Sequence, residues 1–158
     1  MDKELAREKF AQTLDYLFGE GSSLAFPLDE LNFEFSPRTK RLKRVFFQNK
    51  LLATFREDGS LALTLNGAEI LSKSKRFLEN CVIVKDLAEE PIRKGRSIFV
   101  KHLNYVGDRI RINGEVIVLN TKREIIAIGK AKLSSNMMKS FKRGLAVKVR
   151  EGKLSDGY

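Results

Sequence analysis

The chain has 158 residues, with 30 Lys and Arg against 20 Asp and Glu and a formal charge of +10. That balance points to a polyanionic partner. A single cysteine, Cys81, and a single histidine, His102, exclude an internal disulfide, a paired-cysteine zinc site and a histidine-rich metal site, so no metal or cofactor is expected.

Residues 3–18 predict an amphipathic helix. Ala6, Phe10, Leu14, Leu17 and Phe18 recur at spacings of three and four, and Gly19 and Gly21 stop the pattern. Pro27 and Asp29 suggest a turn, and Phe33 and Phe35 alternate with polar neighbours as a half-buried strand does. The run Pro37–Arg44 holds five cations, Arg38, Lys40, Arg41, Lys43 and Arg44. It reads as a solvated face or an edge strand protected by charge. Val45–Phe47, Leu51–Phe55 and Leu61–Leu65 follow as strands, with a turn at 48–50 and an Asp58-Gly59 hairpin. Asn66 is placed to cap a helix reaching Phe77.

A boundary is expected near Glu79–Asn80, and Cys81–Val84 starts a new strand. Ala88–Lys94 reads as one or two helical turns, with Pro91 near the start and Gly95 at the end. Ile98–Leu103, Ile110–Ile112, Val116–Leu119 and Ile125–Ile128 read as strands, with turns at Asn113-Gly114 and Thr121–Arg123. Ser134 caps a helix to about Phe141, and Leu145–Arg150 is the last strand, with Ala146, Lys148 and Arg150 on one face and Val147 and Val149 inward. The expected architecture is α+β: an N-terminal α+β domain at 1–79, a small β barrel at 80–152, and a frayed tail at 153–158. Residues 1–80 hold 13 Lys and Arg against 12 acids, and residues 81–158 hold 17 against 8. The positive excess therefore belongs to the second domain. No run approaches the roughly 20 apolar residues of a membrane span and no signal peptide is apparent, so a cytoplasmic protein without membrane partners is expected.

Three stretches, Pro91–Lys101, Gly114–Asn120 with Ala127–Ala131, and Phe141–Arg150, resemble the PUA domain, an RNA-binding pseudo-barrel of pseudouridine synthases and archaeosine transglycosylases. Phe18-Gly19, Leu31–Phe35, Ser36–Arg44, Leu52–Arg56 and Leu63–Ala68 resemble the domain that precedes it in archaeal tRNA-guanine transglycosylase. One departure is Asn113-Gly114 before Glu115-Val116, where the family often has Gly-Asp. The resemblance implies a tRNA-binding arm that grips the acceptor stem and 3′ end. The family's enzyme replaces a D-loop guanine with a 7-deazaguanine base, using aspartates on a (β/α)-barrel and a cysteine-rich zinc site. This chain is too short for that barrel and has one cysteine, so no catalysis is expected of it, and a separate catalytic subunit would act in trans.

The candidate RNA-binding segment is Lys94-Gly95-Arg96-Ser97, where glycine would let backbone amides approach a phosphate and flanking cations add charge. By resemblance it lines the acceptor-stem groove. Phe99 is either a stacking platform or a core side chain, and the apolar run Ile98–Val100 favours the core. Lys101 and His102 fall beside the groove. Lys148 and Arg150, extended by Lys142 and Arg143, read as a second phosphate rail or as an ordinary charged outer face. The run Arg38–Arg44 is a secondary basic patch. Other readings are a translation or ribosome-assembly factor and a protein-interaction module. No nucleophile–base constellation marks an enzyme.

Overall fold

The computed structural model describes residues 2–154 and divides into two compact units, 1–77 and 78–158. The division falls two residues before the expected boundary.

In the first unit, helix α1 (Lys3–Phe18) starts at Asp2, whose carboxylate accepts the Leu5 amide at 2.8 Å. Its buried face is Ala6, Phe10, Leu14 and Phe18, one residue per turn. Strands β1 (Asn32–Phe35), β2 (Leu42–Phe47), β3 (Lys50–Phe55) and β4 (Leu61–Leu63) form an antiparallel sheet in that order. Phe10 meets Phe26 and Phe55 edge to face, with centroids 5.5 and 6.4 Å apart. The cationic run is not an edge strand. Residues 37–39 are a turn, and β2 lies between β1 and β3. Helix α2 (Leu65–Leu71) is capped by Thr64, whose Oγ1 accepts from Gly67 N at 3.1 Å, so Asn66 is not the cap. The helix ends at Leu71, and Phe77 falls in a 3₁₀ turn.

The second unit is a six-stranded, nearly closed sheet. Its strands are β5 (Cys81–Val84), β6 (Ile98–Phe99), β7 (Leu103–Val106), β8 (Glu115–Leu119), β9 (Ile125–Ala131) and β10 (Leu145–Gly152). The order is β6-β10-β9-β8-β5-β7, with only β5 and β8 parallel. The two edge strands, β6 and β7, are consecutive in sequence. A single 3₁₀ turn, Val100–His102, links them and so bridges the seam of the barrel. The expected continuous strand at 98–103 is broken by that turn, and 110–112 is not a strand.

Helices α3 (Asp86–Arg93) and α4 (Ser135–Ser140) pack Ala88, Ile92 and Met138 into a core with Val82, Ile98 and Val116 among others. Helix α3 begins earlier than expected, and Pro91 lies in its last turns rather than its first. Ala146 is buried beside Val147 instead of sharing an outer face with Lys148, because the β6–β10 register shifts between Leu145 and Val147. A second irregularity, between Val149 and Glu151, carries Arg150. The end of the chain is also more ordered than expected up to Lys153. Gly152 still pairs in β10, Lys153 N donates to Ile126 O at 2.8 Å, and Lys153 O accepts from Arg93 at 2.9 Å. Residues 155–158 of the expected tail lie outside the described residues.

Candidate nucleic-acid interface

Helix α3 forms one wall of a groove of about 940 Å³. Acidic Asp86 and Glu89 sit in its first turn and Arg93 in its last, each the charge that the helix dipole favours there. A buried bracket holds the helix in place. Asn120 Oδ1 accepts the amides of Lys122 and Glu124 at 3.0 and 2.9 Å, and its Nδ2 donates to Glu89 at 3.2 Å. Glu89 also accepts from Arg93 Nε at 2.9 Å. Leu87, Pro91, Phe99 and the cations Lys85, Lys94, Arg96 and Lys101 line the groove, with Ser97, His102 and one acid, Glu90.

Gly95 has φ +97°, with open space where a Cβ would stand. Its amide donates to Ile92 O at 2.9 Å and that of Arg96 to Pro91 O at 3.1 Å, the Schellman arrangement that ends a helix on glycine. The amides of Gly95 and Arg96 are therefore used by the cap. The glycine serves the turn, and any phosphate here meets the side chains of Lys94, Arg96 and Ser97 rather than a backbone cradle.

Phe99 is 44% exposed while Ile98 is fully buried, so the expectation that Phe99 is core does not hold. Strand β6 is two residues long, and its alternation turns Ile98 inward and Phe99 outward. Phe99 and Lys101 also line a second hollow, of about 300 Å³, with Lys142, Arg143 and Gly144. Gly144 O accepts from Val100 N at 2.9 Å and fastens that loop to the turn at 100–102. The aromatic ring thus stands at the partition between two basic hollows.

His102 Nδ1 accepts the Phe99 amide at 3.1 Å, and the two rings meet edge to face at 5.9 Å. An amide can only donate, so Nδ1 carries no proton. Burial first, then the charges of Lys101 and Lys85, hold the imidazole below its ordinary pKa. Burial pushes the Cys81 thiol up, which makes it inert.

Lys142 and Arg143 join the Phe99 hollow, but Lys148 and Arg150 do not line either one. Arg150 donates to Glu115 at 3.0 Å, and that carboxylate is 3% exposed. The expected rail is therefore split: Arg150 is engaged across the sheet, and Lys148 stands opposite Lys130. The sequence missed Lys85 and Leu87, which only the start of α3 at Asp86 brings to the groove.

In the first unit Arg38, Arg41 and Lys43 line a hollow of about 580 Å³ together with Lys9, Phe55 and Arg56. Lys9 Nζ lies 5.8 Å from the Phe55 ring centroid. Lys40 and Arg44 are not among the lining residues, and Arg44 pairs with Glu34. Among the described residues no helix is long and apolar enough to cross a membrane, and no group of three His, Cys, Asp or Glu side chains is placed to hold a metal.

Residues 80–153, which form this nearly closed barrel and its groove, match the family model of the PUA domain. The second unit of the chain is therefore a PUA domain. Residues 10–77 match the patch-forming domain C2 of tRNA-guanine transglycosylase, so the two domains stand in the order that the sequence resemblance implied. A tRNA-guanine(15) transglycosylase of Thermoplasma volcanium is 35% identical over 147 residues, 92% of this chain and 23% of that protein. The chain spans about a quarter of the length of the curated relatives it matches. A conserved PUA domain protein from Thermoplasma acidophilum aligns over 99% of this chain and 93% of its own, with TM-score 0.67 and 19% identity. A hypothetical protein from Pyrococcus horikoshii aligns over 99% and 94%, with TM-score 0.72 and 22% identity. These two share the fold.

Proposed function

We propose that this chain is a non-catalytic tRNA-binding protein that supports tRNA modification, docking the acceptor stem and unpaired 3′ end in the groove beside α3 while a separate subunit supplies the chemistry. The observation that carries the reading is the exposed Phe99 ring set between two hollows lined by Lys85, Lys94, Arg96, Lys101, Lys142 and Arg143. Cations suit the phosphates, and an exposed ring suits an unpaired base. The pairing of a PUA domain with a transglycosylase C2 domain supports tRNA as the RNA. The hollow around Arg41 and Lys43 in the first unit offers a second contact for backbone phosphate.

Filter binding with whole tRNA and with tRNA trimmed of its unpaired 3′ nucleotides tests the reading. Tighter binding of the intact molecule is expected, and equal affinity for both, or for random duplex, overturns it. Lys94→Ala and Arg96→Ala should each weaken binding and reduce the slope of log affinity against log salt by about one. Lys148→Ala, outside the groove, should leave the slope unchanged. An unaltered slope in the first two variants would make those cations bystanders.

A further inference from the structure

The imidazole of His102 lines the groove, and its two nitrogens are not equivalent. Nδ1 is taken by the Phe99 amide at 3.1 Å, which leaves the ring proton of the neutral side chain on Nε2. Nε2 has no protein partner among the described residues. The seam turn Val100–His102 fixes the backbone from which the ring projects. The two rings stand 5.9 Å apart, centroid to centroid, with 74° between their planes, so the imidazole lies beside the Phe99 ring. A base stacked on the exposed face of Phe99 would bring its own edge close to the imidazole, since both side chains line the one groove.

From this geometry we infer that His102 is a fixed hydrogen-bond donor of the groove, its Nε2–H presented to an acceptor on the edge of an unpaired base that stacks on Phe99. The inference rests on the RNA-binding reading above and deepens it. Phe99 accepts any base, because every base has a face. A donor of fixed tautomer beside it adds a requirement for an acceptor at one place, and so makes His102 a specificity-determining residue.

Two variants of the full chain separate this role from mere closure of the turn. Asparagine at 102 keeps an oxygen in place of Nδ1, able to accept the Phe99 amide, but carries no donor at the reach of Nε2. Alanine removes both groups. The probes are an RNA hairpin stem with a single-stranded 3′ tail, the same stem with a blunt end, and the same stem with an abasic tail. His102→Asn and His102→Ala should each lose roughly two- to tenfold in affinity for the tailed stem and bind the blunt and abasic stems as the parent does. Nitrogen NMR of the parent imidazole should show the proton on Nε2.

Parent-like binding of the tailed stem by His102→Asn would reduce His102 to a turn cap and overturn the inference, as would a proton on Nδ1. An affinity loss that persists on the abasic tail would move the acceptor to a phosphate and overturn the base-edge assignment. Equal affinity of the parent for tailed and blunt stems would remove the RNA-binding reading itself, and this inference with it.

Discussion

Phe99→Ala will weaken binding of RNA with an unpaired 3′ end by roughly five- to 150-fold, the equivalent of about 1–3 kcal/mol for one base stacked on an aromatic ring. Affinity for blunt duplex should hardly change, since the cations around the ring remain. The same variant should melt within a few degrees of the parent. A phenylalanine packed in a core costs about 3–5 kcal/mol when cut to alanine, but this ring is 44% exposed and its ring contact is with one imidazole. The backbone bond from Phe99 N to His102 does not involve the ring and survives. Thermal unfolding and filter binding on one preparation check both halves. A large drop in melting temperature with no tail-specific loss of affinity would return Phe99 to a structural role.

That exposure is the point at which sequence reasoning failed, for a definite reason. Ile98, Phe99 and Val100 are all apolar, and a run without alternation carries no information about which side faces out. Only the shortness of β6 and the turn that follows it decide the matter. Helix α1 was legible because its buried residues fall at a spacing of four, and the hairpin at Asp58-Gly59 because Gly59 needs φ +87°. The start of α3 was hidden. Its cap, Lys85, makes no side-chain capping bond, and Pro91 imitates the first residue of a helix.

Gly95 was located correctly as the end of that helix, yet its amide proved to serve the cap rather than a phosphate. The pairing of Arg150 with Glu115 joins residues 35 positions apart and needs the β8–β9–β10 order to become visible. The groove was legible as one basic segment, Lys94–His102, while its far wall and the contribution of Lys142 and Arg143 depend on tertiary contacts.

Gly129→Val should destabilise the second unit by about 3 kcal/mol or more, at the upper end of what overpacking costs. Gly129 lies in β9 and pairs with Val149 of β10. A Cβ placed on it would stand 2.3 Å from Lys148 O and 2.9 Å from Val149 Cα. Both obstacles are backbone, so no side-chain rotation relieves them. Relief requires β10 to move away from β9, and β10 also holds β6 through Leu145 and Val147, which pair with Phe99 and Ile98. The clash therefore reaches the strand that presents Phe99. Denaturant unfolding followed by a probe in the second unit should show the loss, and RNA affinity should fall for tailed and blunt stems alike. That uniform loss distinguishes it from Phe99→Ala, whose effect is confined to the tail. A Gly129→Val protein as stable as the parent would mean that β9 and β10 are not paired in this register.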